Sequence, residues 1–167
     1  MSRALACWVT AAALAGASAC ATGRAARGAE RPPAPAFAVS DLDGAPVSSE
    51  QLKGKVVVVD FWATWCEPCR EELPRLIALQ KAEGPRGLQL VGLSMDDDAA
   101  TVRAFCRAQG VNYPMAMGDA ELGQKFGGVL GVPVKVVIDR KGRVAARHTG
   151  AVDIAVLTLE LRALLVE

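Results

Sequence analysis

The sequence has few of the residues on which several kinds of binding site depend. Histidine occurs once, at His148, and aromatic residues make up only 5% of the 167 residues. Lysine and arginine (19) nearly balance aspartate and glutamate (18), which gives a formal net charge of +1. Nucleic-acid binding requires a basic patch or stripe, so this composition argues against nucleic acid as a partner. His148 lies on a terminal strand far along the chain from the cysteine pair described below, and we expect it at the surface.

Long apolar runs are also missing. The best candidate, residues 5–15, is shorter than the ~20 residues that a membrane-spanning helix needs. With Arg3 before it and small residues at 17–19 after it, this run is typical of an export signal, which we assign to residues 1–20. Cys20 then stands where bacterial lipoproteins carry a lipid-modified cysteine. The alternative is ordinary cleavage after Ala19 or Ala21, which would release a soluble exported domain.

The chain beyond the signal divides into two parts. Residues 21–36 are rich in Ala, Gly, Arg and Pro without apolar periodicity, which predicts a flexible tether. The whole sequence is 51% hydrophobic, and a chain of this length and composition can bury one ordinary core. We therefore expect residues 37–167 to form one domain. No internal repeat is visible.

The most informative feature is a pair of cysteines three positions apart, Cys66 and Cys69. The β-branched run 56–59 before them predicts a strand buried on both faces. After them, apolar residues recur every three to four positions up to about residue 81, which predicts an amphipathic helix that begins near Cys66. This arrangement favours thiol–disulfide exchange.

The position of Cys66 predicts its chemical role. Free backbone N–H groups at a helix N-terminus favour a thiolate, and Cys-X-X-Cys nucleophiles reach a pKa of roughly 3.5–7.5. We therefore expect Cys66 to be the exposed attacking thiol. Cys69 is the resolving thiol, which breaks the mixed disulfide from within. Cys106, at an apolar position of a later helix, is interpreted as a buried inert thiol rather than a regulatory one.

The remaining pattern predicts an α/β fold. An Asp-Gly turn marks a short hairpin near the start of the domain, and a later hairpin precedes the last helix. The acidic triplet 96–98 could suggest a metal site, but Asp98 precedes a helical pattern and is better explained as its N-cap. The predicted elements are a hairpin over 37–47, strands at 88–93, 115–117, 134–139 and 143–149, and helices at 99–109, 119–126 and 153–165. Such an order indicates a mixed sheet with helices on both faces.

The residues from Asp60 to Cys69, Asp-Phe-Trp-Ala-Thr-Trp-Cys-Glu-Pro-Cys, and the later Gly131-Val132-Pro133 resemble the thioredoxin superfamily. The Cys-Glu-Pro-Cys form, with Glu72 following, is similar to the extracytoplasmic thiol–disulfide reductases that serve cytochrome c maturation. The resemblance covers roughly residues 37–167. It implies a thioredoxin-like three-layer fold, a redox-active Cys66–Cys69 disulfide, and neither a cofactor nor a bound metal.

The resemblance also implies a client-binding surface. Pro133 corresponds to the cis-proline of the superfamily, and the backbone of Val132 would hydrogen-bond an extended client peptide. Trp65, Glu67 and Pro68 surround the thiols in sequence and complete the candidate substrate-binding set. Glu67 opposes ionisation of Cys66, which favours reductase work slightly. Val134 replaces the threonine that commonly follows this proline.

Two acidic residues are candidate proton-handling groups. Asp60 lies inside an apolar strand, and the family implies a carboxyl of raised pKa that takes the proton of Cys69. The alternative is a strand-end aspartate paired with a lysine such as Lys55. Glu72 shares a helix face with Cys69 and in this branch tunes the proton chemistry of the pair. The alternative is a solvated glutamate without a role.

These observations predict an exported thiol–disulfide oxidoreductase that reduces protein disulfides, with apocytochrome c as the first client to test. An oxidising compartment lacks thiols, so the enzyme would need electrons from a membrane donor of the CcdA/DsbD type. One alternative is a peroxiredoxin-like thiol peroxidase. Such enzymes have a proline and a threonine ahead of the peroxide-reactive cysteine, and Val59 and Ala63 occupy those positions here. Another is a copper- or zinc-binding thioredoxin-like metallochaperone, for which only two ligands are visible.

Overall fold

The computed structural model describes residues 30–167. The predicted export signal, Cys20 and most of the predicted tether lie outside these residues. Within residues 30–167 no helix has both the length and the apolar character needed to span a membrane.

A five-stranded mixed sheet forms the centre of the fold, in the order β5-β4-β3-β6-β7. Strands β3, β4 and β5 are parallel, whereas β6 and β7 run antiparallel to their neighbours. A separate hairpin is formed by β1 and β2. The strands are β1 Ala38–Ser40, β2 Pro46–Ser48, β3 Val56–Trp62, β4 Leu88–Ser94, β5 Met115–Met117, β6 Val134–Ile138 and β7 Val144–Thr149.

Helices cover both faces of the sheet, which confirms the predicted three-layer α/β fold. The helices are α1 Glu67–Glu83, α2 Ala99–Gln109, α3 Ala120–Lys125 and α4 Ile154–Leu165. One core cluster holds Val58 and Trp62 of β3 together with buried residues of α1, α2 and α4. The other holds Val59 and Phe61 together with Phe37, Leu122 of α3 and Phe126, which follows α3. Side chains of a strand alternate between faces, so β3 alone supplies both cores.

The ends of β3 define two opposite ends of the domain formed by residues 31–167. At the Trp62 end the chain turns into α1, and Pro133 precedes the antiparallel β6 beside it. At the Val56 end lie Asp139, which follows β6, and the last residues of α4, because Arg140 donates hydrogen bonds to the carbonyls of Gly54 (2.7 Å) and Leu165 (3.1 Å). The cysteine pair and Pro133 lie at the Trp62 end.

Residue Asp98 has the role predicted for it. Its carboxylate accepts hydrogen bonds from the backbone N–H groups of Ala100 (3.1 Å) and Thr101 (3.0 Å), which caps α2. Asp96 instead accepts hydrogen bonds from the backbone N–H of Thr64 (2.9 Å) and from the hydroxyl of Ser94 (2.7 Å). Among residues 30–167, no three His, Cys, Asp or Glu side chains are grouped to hold a metal ion.

The last residues of the predicted tether belong to the folded domain, which corrects the boundary at residue 37. Residues 31–36, called here the N-terminal segment, lie against the hairpin of β6 and β7. Val144 N–H donates to the carbonyl of Pro32 (2.8 Å), and Ala34 N–H donates to that of Gly142 (2.9 Å). The Pro-rich composition suggested an unpaired chain, but a proline carbonyl can still accept hydrogen bonds at a sheet edge.

Candidate active site

The two cysteines form a disulfide at the N-terminus of α1, with their Cα atoms 5.3 Å apart. Cys66 is the N-cap residue, and its Sγ accepts the backbone N–H of Cys69 at 3.3 Å. Both residues are buried in this oxidised form. The prediction of an exposed Cys66 thiol is therefore wrong for the disulfide state, because Sγ is bonded to Cys69 and lies over the first turn of the helix.

The two tryptophans next to the disulfide have different environments. Trp65 is 67% exposed beside Cys66, whereas Trp62 is buried in the core. Glu67 is exposed, and Pro68 is partly buried in the first turn of α1. Trp65, Glu67 and Pro68 therefore surround the disulfide on its solvent side, where a second polypeptide could touch them.

The peptide bond between Val132 and Pro133 is cis, as the resemblance implied. Val134, the first residue of β6, pairs with Phe61, which places Pro133 beside the Trp62 end of β3. Within residues 30–167 the backbone of Val132 makes no hydrogen bond, whereas the carbonyl of Pro133 accepts one from Gly150 N–H (2.9 Å). Val132 thus keeps a free donor and acceptor for an extended strand.

A cleft of about 370 Å³ opens beside this cis-proline. Leu130, at its rim, is 98% exposed. Arg147 of β7 donates hydrogen bonds to the carbonyl of Gly128 (2.6 Å) and to the hydroxyl of Thr149 (2.8 Å), which fixes one wall. The lining residues are Gly128, Leu130, Gly131, Val132, Pro133, Val134, Arg147, Thr149 and Gly150. The cleft is large enough for a side chain of a docked peptide.

Asp60 lies on β3 beneath α1 and is buried. Its Oδ1 is 3.1 Å from Nζ of Lys135 but is not aligned for a hydrogen bond. Burial raises the pKa of Asp60 above its ordinary value, and the Glu72 carboxylate adds to this, while the Lys135 ammonium opposes it. The alternative of a lysine partner is correct in kind but not in residue: the partner of Asp60 is Lys135, whereas the suggested Lys55 donates to the side chain of Gln89 (3.4 Å).

Glu72 is buried in α1, one turn after Cys69. Its Oε2 accepts a hydrogen bond from Lys135 Nζ at 2.5 Å, and its Oε1 accepts the backbone N–H of Val152 at 2.6 Å. The alternative of a solvated glutamate is therefore wrong. Glu72 joins α1 both to the sheet and to the loop before α4.

Lys135 is the residue that the sequence analysis missed. It is fully buried on β6, and it lies directly opposite Asp60 in the antiparallel pair of β3 and β6. The pKa of Lys135 is raised: burial favours the neutral amine, but the Asp60 and Glu72 carboxyls outweigh this effect. The available signal was a single lysine within the apolar run 134–138, which a buried strand tolerates only if the charge has a partner.

Two further side chains complete the neighbourhood. Cys106 is a free, buried thiol, as predicted, and burial raises its pKa to about 11. His148 is only partly exposed, contrary to the expectation of a surface position. Its Nε2 lies 2.8 Å from Glu160 on α4, because β7 packs beneath that helix. The sheet register places His148 opposite Lys135, in one row with Asp60, Gly92 and Met115.

Comparison with known proteins identifies relatives of one kind, by sequence and by structure. The model of the Redoxin family matches residues 29–159. Thiol-disulfide oxidoreductase ResA of Bacillus thuringiensis (strain Al Hakam) is 35% identical over 120 residues, which span 70% of this chain and 68% of that protein. Thiol:disulfide interchange protein HelX of Rhodobacter capsulatus is 35% identical over 137 residues, which span 79% of this chain and 74% of that protein. A crystal structure of a thioredoxin-family thiol:disulfide interchange protein from Chlorobium tepidum TLS superposes with a TM-score of 0.77 at 37% identity, covering 82% of this chain and 98% of that one.

Proposed function

Because the chain belongs to the Redoxin family, and within the thioredoxin superfamily to the thiol–disulfide oxidoreductases, we propose that it reduces disulfide bonds of client proteins outside the cytoplasm. The first client to test is apocytochrome c, and the electrons come from a membrane donor of the CcdA/DsbD type. The catalytic pair is Cys66 and Cys69.

One observation carries this proposal: the Cys66–Cys69 disulfide caps α1 at the same end of the sheet as the cis bond of Val132 and Pro133. The unpaired backbone of Val132 offers strand-like hydrogen bonds to an extended peptide. The exposed Trp65 and the cleft at Leu130 would offer apolar contacts to the same client. A client held there would present its own disulfide to the sulfur atoms of the enzyme.

The reaction proceeds in two exchanges. In the reduced enzyme, the Cys66 thiolate attacks one sulfur of the client disulfide, and the other client sulfur leaves as a thiolate. Cys69 then loses its proton to the Asp60 carboxylate and attacks Sγ of Cys66. The bond between Cys66 and the client breaks, and the second client sulfur leaves and is protonated by water. The client gains two electrons, and the enzyme ends in the disulfide form described here.

The reducing direction depends on the environment of the thiols. The exposed Glu67 carries a negative charge next to Cys66 and disfavours its thiolate. A less stable thiolate makes the disulfide a weaker oxidant, since a stabilised thiolate is what gives strong oxidants their high potential. An exported reductase must in turn be recharged, because its compartment contains no reducing thiol pool.

Export and anchoring are further parts of the proposal. Residues 1–20 would direct export, and lipidation at Cys20 would hold the enzyme at the outer face of the cell membrane. Labelling of the full chain with a radioactive fatty acid, with Cys20→Ser as the unlabelled control, tests the anchor. Labelling that persists in Cys20→Ser would exclude this residue as the site.

The reduction potential of the Cys66–Cys69 couple is the most informative test. A potential in the glutaredoxin range, about −200 to −230 mV, or lower is expected, whereas about −120 mV would indicate an oxidase. The same preparation should reduce insulin and a disulfide-bonded apocytochrome c peptide. The variant Cys69→Ser should accumulate a mixed disulfide with either client, and Cys66→Ser should form none. Rapid, specific turnover of peroxide by the reduced enzyme would instead favour a thiol peroxidase.

A further inference from the structure

Three ionisable side chains meet beneath α1 where solvent is excluded. Lys135 Nζ lies 2.5 Å from Glu72 Oε2 and 3.1 Å from Asp60 Oδ1, and all three side chains are buried. If both carboxyls were ionised, one cation would face two anions. An uncompensated charge in a protein interior is costly, so one of the two carboxyls is expected to hold a proton.

The contacts differ in a way that decides which carboxyl is ionised. Both oxygens of Glu72 accept hydrogen bonds, one from the Lys135 ammonium and one from Val152 N–H at 2.6 Å. Such bonds favour the charged form of a carboxylate. Asp60 Oδ1 accepts no hydrogen bond, although Lys135 is within ion-pair distance. The geometry therefore places the anion on Glu72 and the proton on Asp60.

We propose that Lys135 is a positioning residue that keeps Glu72 ionised and bound to Val152, and so leaves Asp60 as the carboxyl that exchanges a proton with Cys69. This inference rests on the proposed function. The resemblance already implies proton transfer to Asp60, and what is new is the role of Lys135 and the fixed charge of Glu72. Asp60 carries the mobile proton, whereas Glu72 is the fixed counterion of Lys135 and connects α1 to the loop before α4.

The other polar groups on this face of the sheet do not supply a competing charge. Tyr113, which precedes β5, and Cys106 of α2 are buried, and burial raises the pKa of both groups, so they are neutral. His148 of β7 is bonded to Glu160 of α4. Burial, assisted by Glu72, also raises the pKa of Asp60 despite Lys135. Among the described residues, Lys135 is thus the cation that faces both carboxyls.

The proton balance follows the redox cycle. When Cys69 attacks the mixed disulfide, the new bond joins Sγ of Cys66 and Cys69, and the proton of Cys69 moves to Asp60. When the membrane donor supplies two electrons to the disulfide, Asp60 returns that proton to Cys69. Glu72 and Lys135 keep their charges throughout. In the reduced form the single cation therefore faces two anions, and the unfavourable charge of Glu72 makes the Asp60 carboxylate a ready acceptor for the proton of Cys69.

Infrared spectroscopy of the oxidised full-length protein tests the assignment, because a protonated carboxylic acid has a C=O stretching band that a carboxylate lacks. We expect a pH-dependent band in the wild type that is lost in Asp60→Asn and retained in Glu72→Gln. In Glu72→Gln the band should disappear at a pH lower by about one unit or more, because Lys135 then acts on Asp60 alone. In Lys135→Met a second carboxyl band should appear, since Glu72 loses its cation.

Lys125→Met is a matched control, because Lys125 pairs with Glu121 at the surface of α3, and it should leave the spectrum unchanged. A band that persists in Asp60→Asn, or one that Glu72→Gln abolishes, would overturn the proposal, as would an unshifted midpoint in Glu72→Gln. These variants decide the question even if Lys135→Met does not fold. The spectra need no client, so a failure to reduce insulin would refute the proposed function without altering this assignment.

Discussion

Trp62 and Trp65 show how two residues of one type, three positions apart, serve different purposes. Trp62 lies at the end of β3 and is buried between the sheet and the helices. Trp65 follows the strand and stands in solvent next to the disulfide. A large exposed aromatic side chain contributes nothing to the core, but it is typical of residues that dominate binding to another protein. Its expected contribution is therefore to client recognition.

We predict that Trp65→Ala lowers kcat/KM for client reduction about tenfold, the effect of losing an interface contact of roughly 1–2 kcal/mol. The free energy of unfolding should change by no more than about 0.5 kcal/mol, because the side chain is exposed. Insulin reduction kinetics and urea unfolding measure the two quantities. Trp62→Ala is the contrasting variant and should lose about 3–5 kcal/mol of stability. Unchanged kinetics in Trp65→Ala would remove this residue from the client surface.

Between elements, Asp96 connects the end of β4 to the loop that precedes Cys66. Its carboxylate accepts hydrogen bonds from Thr64 N–H (2.9 Å), from the Thr64 hydroxyl (2.5 Å) and from the Ser94 hydroxyl (2.7 Å). The next residue, Asp97, is exposed and makes no such contact. The two acids are adjacent in sequence but differ in structural importance.

We predict that Asp96→Ala destabilises the protein by about 1–3 kcal/mol, because several hydrogen bonds to a charged group are lost. Asp97→Ala is the matched control and should stay within about 0.5 kcal/mol of the wild type. Chemical denaturation of the oxidised forms measures both. Asp96→Ala should also react faster with an alkylating reagent at Cys66 after reduction, since the preceding loop is no longer held. Equal stability of the two variants would contradict the prediction.

The elements themselves were predictable because they depend on local patterns. The valine run of β3, the apolar spacing of α1 and the cap at Asp98 all appear within short windows of sequence. The opposition of Asp60 and Lys135 depends on the register of β3 and β6, which come from distant parts of the chain. The contacts of the N-terminal segment depend on a hairpin more than a hundred residues away. For this reason the sequence pointed to the dithiol but not to its buried cation.

For the folded domain as a whole, acid pH is expected to lower stability through two buried carboxylates. Burial raises the pKa of Asp139, but hydrogen bonds from Arg143 and Arg31 outweigh this and hold it at about 2. Glu83 accepts hydrogen bonds from Arg162 (2.7 Å) and Arg86 (2.7 Å), which keep its pKa below the ordinary value despite burial. Both carboxylates stabilise the fold only while they are ionised.

A carboxyl with a depressed pKa contributes stability above its unfolded pKa and loses it as the pH falls toward the folded value. We therefore predict that the free energy of unfolding declines between pH 3.8 and about 2. Asp139→Asn should lower the free energy of unfolding at neutral pH by about 1–2 kcal/mol, a value that allows for partial solvent screening of the ion pairs. In this variant the free energy of unfolding should also fall less steeply with acid. Urea titrations across this pH range measure both effects. Glu121→Gln, at an exposed ion pair of α3, should leave the profile unchanged.

The entry point of the N-terminal segment has a practical consequence. Arg31 binds Asp139 and Glu167, so the chain joins the domain at the Val56 end, whereas the disulfide lies at the Trp62 end. The seven residues of β3, at ~3.3 Å each, separate the two by about 20 Å. A solid support, affinity tag or fusion partner attached ahead of Arg31 would therefore leave the Cys66 end facing away from the attachment point. A layer of enzyme immobilised in this way would present its dithiols to the solution.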